Sequence, residues 1–451
     1  MRTKLLGPAL ALSLAAAPLL GSASAELTLG EALRLAREKN ETTGIAAARV
    51  ERAAAQRQQA VSLLIPGLEL TGVYTRRSKE VTREVGGEEV VLSRLEALNG
   101  TATADAVLFD ARAIPGIRAA TRGLEAQRLE SSELERTLAF EVATGFIAVL
   151  SAERLQAAAE RRIEVADSSA REARLRLEAG LAARNELTRS ELELATARLA
   201  ATEAASLVST LRLALGYLIG TPVDGPLVEP GPFAVLGRDA GELAARAQRD
   251  SAELAALAAR TEQARQRALT PRLGFVPRLE GRGTYRVTND AGLSGNERDW
   301  NATATLTWSL FDGGERAALA AVADAEWREA TLQLEARRRR LAVDVERALA
   351  DLATAEAALA QAQVQADVAA QNAEEVRERF GQGLATALEQ ADATVARFEA
   401  DAQLARQGFA ARTAQLALAQ ALGLWPLDAA APPLTDPPAP ERAAPAAEES
   451  R

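Results

Sequence analysis

The chain has 451 residues, is 48% hydrophobic, 25% charged and only 4% aromatic, carries a formal net charge of -9, and contains neither cysteine nor histidine. The acidic balance argues against nucleic-acid partners, and the missing residue types exclude disulfides, soft metal centres and Cys- or His-based nucleophilic chemistry. An enzyme built from this chain would lack most of its usual groups and no cofactor is expected, while abundant Ala, Leu, Glu and Arg suit long packed helices.

In chain order, residues 1–25 read as a secretory signal peptide. Arg2 and Lys4 precede the apolar Leu5–Leu20 run, and Ala23-Ser24-Ala25 offers a cleavage site before Glu26. No cysteine follows it, so a lipid anchor there is excluded. Beyond it there is no run of 18 or more apolar residues, and a membrane crossing would have to be made by a closed β-barrel.

The remainder is one unit written twice: a first structural repeat over 26–221, a linker over 222–239 and a second repeat over 240–425. A Pro/Ala-rich tail, 426–451, reads as disordered. Gly30-Glu31 recurs as Gly241-Glu242, and Pro66, Leu68, Glu69, Gly72 and Tyr74 as Pro277, Leu279, Glu280, Gly283 and Tyr285. Leu108-Phe109-Asp110 recurs as Leu310-Phe311-Asp312, Arg176 and Gly180 as Arg379 and Gly383, and Leu213 and Gly220 as Leu416 and Gly423. Each copy reads helix, strand, loop, strand, very long helix, turn, long helix. The first copy carries about nine extra residues between Tyr74 and Leu108.

Four stretches alternate with period two, the mark of strands between hydrocarbon and water. Over Trp300–Phe311, Ala302, Ala304, Leu306, Trp308 and Leu310 oppose Asn301, Thr303, Thr305, Thr307 and Ser309. Leu279, Gly281, Gly283, Tyr285 and Val287 oppose Glu280, Arg282, Thr284 and Arg286. The first copy sets Leu68, Leu70, Gly72 and Tyr74 against Glu69, Thr71 and Thr75, and Ala102, Ala104, Ala106 and Leu108 against Thr101, Thr103 and Asp105. Trp300 and Trp308 suit a membrane interface. The segments Arg77–Gly100 and Val287–Asp299 read as charged, Gly-containing loops facing outside the cell. Four strands cannot close a membrane barrel, so the chain must oligomerise; two copies would give a nearly filled barrel, three a twelve-stranded one with an open lumen.

Proline is absent between Pro115 and Pro222 and again between Pro277 and Pro426. Those stretches accommodate long helices over Arg112–Glu178 and Glu315–Arg379, each about 100 Å at 1.5 Å per residue. Leu341, Val345, Leu349, Leu352, Ala355 and Leu359 step by three or four, as in a coiled-coil seam. Each long helix ends in an Arg-x-x-x-Gly-Leu turn, with Gly180 and Gly383 at the left-handed position that stops a helix. The Arg337–Arg340 run reads as solvated or paired with acids on neighbouring helices, with no assigned role.

The duplication, the opening Leu27-Thr28-Leu29 with Glu31-Ala32-Leu33, the Pro66 and Pro277 strand starts, the Leu-Phe-Asp strand ends and the paired turns together resemble the TolC family of outer-membrane efflux proteins, over essentially the whole mature chain. The resemblance implies a mainly α fold with a transmembrane β-barrel: a homotrimer whose twelve strands continue into a periplasmic α-helical tunnel. It implies a passive exit duct in the outer membrane of a Gram-negative-type cell, surrounded by outer-membrane lipid, serving a tripartite efflux pump or type I secretion system. The implied partners are a periplasmic adaptor and an inner-membrane RND, ABC or MFS transporter. It further implies that Arg176, Gly180, Leu181, Arg379, Gly383 and Leu384 form the adaptor-contacting tips. Glu389 and Asp392, six and nine residues past Gly383, would ring the tunnel aperture. The residues give Glu389 a second role, because Thr386-Ala387-Leu388-Glu389 is a capping box. The first copy keeps Glu186 at the six position and has Arg189 at nine. The alternative is an exported coiled-coil structural or surface protein without channel activity, which would have no need of four duplicated alternating strands.

Overall fold

The computed structural model describes residues 26–426 apart from 86, 182 and 232–236; the expected signal peptide and nearly all of the expected tail lie outside the described residues. The first copy comprises α1 (Leu29–Lys39), α2 (Glu41–Ser62), β1 (Gly67–Arg76), β2 (Val81–Val85), β3 (Glu88–Ser93), β4 (Glu96–Phe109), α3 (Ala113–Glu178) and α4 (Arg184–Ile219). The second comprises α5 (Ala240–Asp250), α6 (Ala252–Leu273), β5 (Arg278–Thr288), a 3-10 turn (Gly292–Ser294), β6 (Arg298–Thr307), α7 (Glu315–Gly381) and α8 (Ala387–Ala421).

Three expectations are corrected. The opening helix of each copy is two helices, because Asn40 and Ser251 adopt extended backbone and cap the next helix. Asn40 Oδ1 accepts from Thr42 N at 2.8 Å while its Nδ2 donates to the Leu218 carbonyl at 2.8 Å. Ser251 Oγ accepts from Leu254 N at 3.2 Å. Side-chain oxygens at these positions satisfy N–H groups that the helix start leaves without partners. Second, the first loop is not irregular: β2 and β3 pair as a hairpin, and β4 begins at Glu96. Third, β6 stops at Thr307 rather than continuing to Phe311. Thr307 is the register partner of Arg278, and the residue before it, Pro277, has no N–H to extend the ladder. Trp308 turns its indole N–H to the Phe275 carbonyl instead, at 3.1 Å.

The four long strands form one antiparallel sheet ordered β1-β4-β5-β6. The helices beneath keep that order, with α2 packed on α3, α3 on α6 and α6 on α7, so each strand is continued by its own helix into a single-layer wall. Farther along, α4 packs on α3, α3 on α8 and α8 on α7. Within one chain this leaves β1 and β6 as edge strands, and α2, α4 and α7 as edge helices.

The two very long helices span 66 and 67 residues, about 100 Å each. Each starts beside an Asp that orders the first turn: Asp110 accepts from Arg112 N at 2.9 Å, and Asp312 from Arg316 N at 3.1 Å. The side-chain hydrogen bond from Arg112 holds the Asp110 carboxyl below the ordinary carboxylate range.

Two apolar clusters sit at mid-height. One joins α1, α3 and α4 around Val142, Phe146, Val149, Leu215 and Ile219; the other joins α5, α6, α7 and α8 around Leu341, Val345, Leu418 and Leu422. The segment joining the copies is pinned across this level. Leu27 N donates to the Pro226 carbonyl at 2.9 Å and Val228 N to the Leu27 carbonyl at 3.0 Å. Glu229 receives hydrogen bonds from Arg154 of α3 and Arg412 of α8. Arg337 pairs with Glu253 of α6 at 2.7 Å and Asp344 at 2.8 Å, so this end of the arginine run ties helices together.

Candidate functional site

The sheet separates two chemistries. Register places Leu70, Ala102, Tyr285 and Trp300 in one row on the same face, with Leu68, Ala104, Gly283 and Ala302 in the next row of that face. Leu68, Leu70, Tyr74, Trp300 and Leu306 are exposed large apolar side chains there. The other face carries Glu69, Thr71, Thr101, Thr103, Asp105, Arg282, Thr284, Arg286, Asp299 and Asn301. Its charges pair across strands: Asp105 faces Arg282, and Arg286 donates to Asp299 at 2.7 Å. Apolar outside and polar inside, at period two, is the division a water-filled membrane barrel requires. Aromatics mark both ends of the apolar face, with Tyr74, Tyr285 and Trp300 toward the loops and Phe109, Trp308 and Phe311 at the junction with the helices.

At the far end of the helices, both turns adopt the same hydrogen-bonded stop. Leu181 N donates to the Arg176 carbonyl at 2.8 Å and Gly180 N to the Leu177 carbonyl at 3.0 Å; Leu384 N donates to Arg379 at 2.8 Å and Gly383 N to Phe380 at 2.9 Å. These are the paired bonds of a Schellman motif, which needs a left-handed residue. Gly180 and Gly383 supply it with φ of 73° and 75°. The geometry thrusts Leu181 and Leu384 into solvent, 75% and 65% exposed. The turns lie side by side, since the Arg176 guanidinium stands 5.3 Å over the Phe380 ring. Sequence reasoning missed Phe380. Its signal was an aromatic at a turn whose counterpart in the first copy is Leu177, and it is buried although it lies at a tip. Arg379 lies 3.8 Å from Glu375, and Arg176 4.0 Å from Glu186.

Of the two expected aperture acids, Glu389 closes the capping box. It accepts from Thr386 N at 2.7 Å and from the Thr386 hydroxyl at 3.0 Å, while its own N–H donates to that hydroxyl at 3.3 Å. The Thr386 backbone N–H, followed by its hydroxyl, holds the Glu389 carboxyl below its ordinary range. Asp392 is exposed three residues farther along α8. The first copy has Ala183 as the N-cap of α4, with no side-chain cap.

The family model described as outer membrane efflux protein matches residues 32–221 and again 243–424. Among solved structures, the chain superposes on VceC of Vibrio cholerae with a TM-score of 0.73 at 18% identity, covering 88% of this chain and 96% of that one. CmeC of Campylobacter jejuni gives a TM-score of 0.75 at 16% identity, covering 88% and 85%. The open state of MtrE from Neisseria gonorrhoeae gives 0.73 at 20%, covering 88% and 89%. All three are outer-membrane proteins or channels in their descriptions. No curated protein sequence matches. Matched twice in tandem over most of its length, the chain belongs to the outer membrane efflux protein family, whose members are the channel-tunnel subunits of efflux systems.

Proposed function

We propose that three copies of this chain close a twelve-stranded barrel in the outer membrane and a tunnel of helices in the periplasm, forming the passive exit duct of an export machine. The observation that carries this is the four-stranded sheet with both edges open, apolar on one face and polar on the other. Strand directions alternate, so β6 of one copy meets β1 of the next antiparallel, and closure removes the exposed edges. The edge helices agree. Leu192 and Leu199 on α4 and Val364 and Val368 on α7 are exposed at similar heights above the tips, as expected of surfaces covered by a neighbouring copy.

In this reading the chain enters with residues 1–25 as its export signal, and the two repeats form the wall. The tips built from Arg176, Gly180, Leu181, Arg379, Gly383 and Leu384 dock a periplasmic adaptor, and an inner-membrane RND, ABC or MFS transporter supplies the energy. Glu389 and Asp392 of three copies bring six carboxylates to the aperture, where they attract cations. The chain has no cysteine of its own, which makes crosslinking clean. Leu199→Cys with Val364→Cys is expected to give disulfide-linked trimers, extracted from outer membranes by detergent and not by salt. A water-soluble monomer would overturn the assembly.

A further inference from the structure

Near the barrel, α3 and α6 leave a groove enclosing about 520 Å³, lined by Arg118, Thr121, Arg122, Glu262 and Gln266. It is a built site. Gln266 is 8% exposed, its Nε2 donates to Glu262 at 2.7 Å, and its Oε1 is buried without a hydrogen-bond partner. Arg122 gives one N–H to Glu125 at 2.6 Å, leaving most of its five-donor fork for the groove. The groove therefore presents guanidinium donors on one wall, and on the other the Glu262 carboxylate, which takes hydrogen bonds from Gln266 at 2.7 Å and Arg265 at 3.1 Å. The hydrogen bond from Gln266, then the neighbouring Arg265, keeps the Glu262 carboxyl below its ordinary range and so charged.

Its place in the wall says what reaches it. Thr121, which lines the groove, and Arg128 lie within about 40° of Glu135 around α3, and Glu135 pairs with Arg37 of α1 at 3.4 Å, so the groove opens toward the side on which α1 lies. A ring of twelve helices about 9 Å apart has a clear bore of roughly 25 Å. Six helices of the α1 and α5 kind would fill that bore, so this face is the outer one. This step rests on the trimeric tube proposed above. Arg118 and Arg122 lie five and nine residues into α3, about 8 and 14 Å beyond its start below the barrel. Side chains lean toward a helix N-terminus. On descending α3 that carries the arginines up toward the membrane, and on ascending α6 it carries Glu262 and Gln266 away from it.

We infer that this groove binds the zwitterionic headgroup of an aminophospholipid from the inner leaflet, with its phosphate on Arg118 and Arg122 and its ammonium on Glu262, which Gln266 holds in place. The order matches the lipid, whose phosphate lies nearer the acyl chains than its ammonium does. The site occurs once per chain. The matching positions in the other copy are Ala320, Asp324, Glu51 and Ala55, which lack both arginines and the amide.

The test is native mass spectrometry of the full-length, delipidated trimer titrated with phosphatidylethanolamine or phosphatidylglycerol. The wild type is expected to take up to three phosphatidylethanolamines and to prefer them about tenfold, the scale of one charge-assisted hydrogen bond. Arg118→Gln with Arg122→Gln is expected to weaken both lipids at least tenfold. Glu262→Gln with Gln266→Leu is expected to abolish the preference and leave phosphatidylglycerol bound. Water-soluble glycerophosphoethanolamine is expected to bind far more weakly than the lipid. Equal binding of the two lipids by the wild type, unchanged binding by the arginine variant, or a soluble headgroup that binds as tightly as the lipid would each overturn the inference. The same spectra weigh the protein, so failure of the trimer is read separately from failure of the site.

Discussion

Replacing Leu181 and Leu384 together by Asp separates a docking role for the tips from a purely structural one. Both leucines stand in solvent, at 75% and 65% exposure, beyond hydrogen-bonded turns that use only their backbone. Fully burying a leucine is worth about 1.5–3 kcal/mol, so each tip holds about 1–2 kcal/mol still to be realised against a partner. Two per protomer amount to about 2–4 kcal/mol, or roughly thirtyfold to a thousandfold in affinity for one docking site. The cost to the protein itself is small, because exposed substitutions stay within about 0.5 kcal/mol. The double variant is therefore expected to assemble and melt like the wild type while losing adaptor binding in an immobilised-trimer assay, and losing export in cells. An intact trimer that binds adaptor within threefold of wild type and exports normally would refute the reasoning.

Glu389 gives a test by sign. Its carboxyl is held low by the Thr386 N–H and hydroxyl, so its support of the α8 start is present above the ordinary value of 4.5 and fades as pH falls through the lowered one. Hydrogen exchange at 386–392 is expected to quicken only in that acid window, and Thr386→Ala to erase the effect; in an aperture ring, like charge acts the other way, so cation block titrating above 4.5 in planar bilayers assigns Glu389 to the ring. Phe146→Ala empties the centre of the first mid-height cluster, where Phe146 is 0% exposed, and is expected to cost about 3–5 kcal/mol, read as a lowered melting temperature of the trimer. Ala183→Thr gives α4 the cap that α8 already has, with Glu186 in place to complete the box; about 1 kcal/mol of added protection at 183–188 is expected in hydrogen exchange.

What the sequence disclosed follows the strength of its periodic signals. The long helices were legible to within two residues at each end because Ala-rich stretches, free of proline beyond the first turn, begin and end in Asp and Gly punctuation. The strand faces were legible because Thr/Ala alternation leaves one pattern to read. The break at Asn40 was hidden in a polar run, Lys39-Asn40-Glu41, where one capped residue interrupts the helix without disturbing the apolar stripe on either side. The β2–β3 hairpin was hidden by its charges: Glu84 faces Glu89 and Val85 faces Glu88, so strands that pair read as an acidic loop. That hairpin is held from the other copy. Asp290 accepts from Arg77 at 2.8 Å and from Arg94 N at 2.8 Å, contacts more than 190 residues apart that no local pattern contains. The packing of Arg176 on Phe380 and the α3–α6 groove are of the same kind, since both arise only when distant helices are laid side by side.

The two copies agree and differ in separate places, and the division has a physical cause. Leu138, Val142, Leu215 and Ile219 are buried in the first, and their counterparts Leu341, Val345, Leu418 and Leu422 are buried in the second. Each copy supplies an equivalent sector of one tubular wall, so a buried position meets nearly the same neighbours twice and close packing restricts both alike. Exposed positions carry no such restriction, and there the copies part: Ala183 against Thr386, Arg189 against Asp392, Arg118 against Ala320. A trimer of such chains has a wall close to sixfold in shape, with a surface that is only threefold in chemistry. A partner gripping all six tips meets two kinds in alternation, one uncapped and salt-bridged through Glu186, the other capped through Glu389. Recognition built on the wall alone would tolerate a rotation of one sixth of a turn; recognition that includes these side chains fixes the partner in one of three equivalent settings.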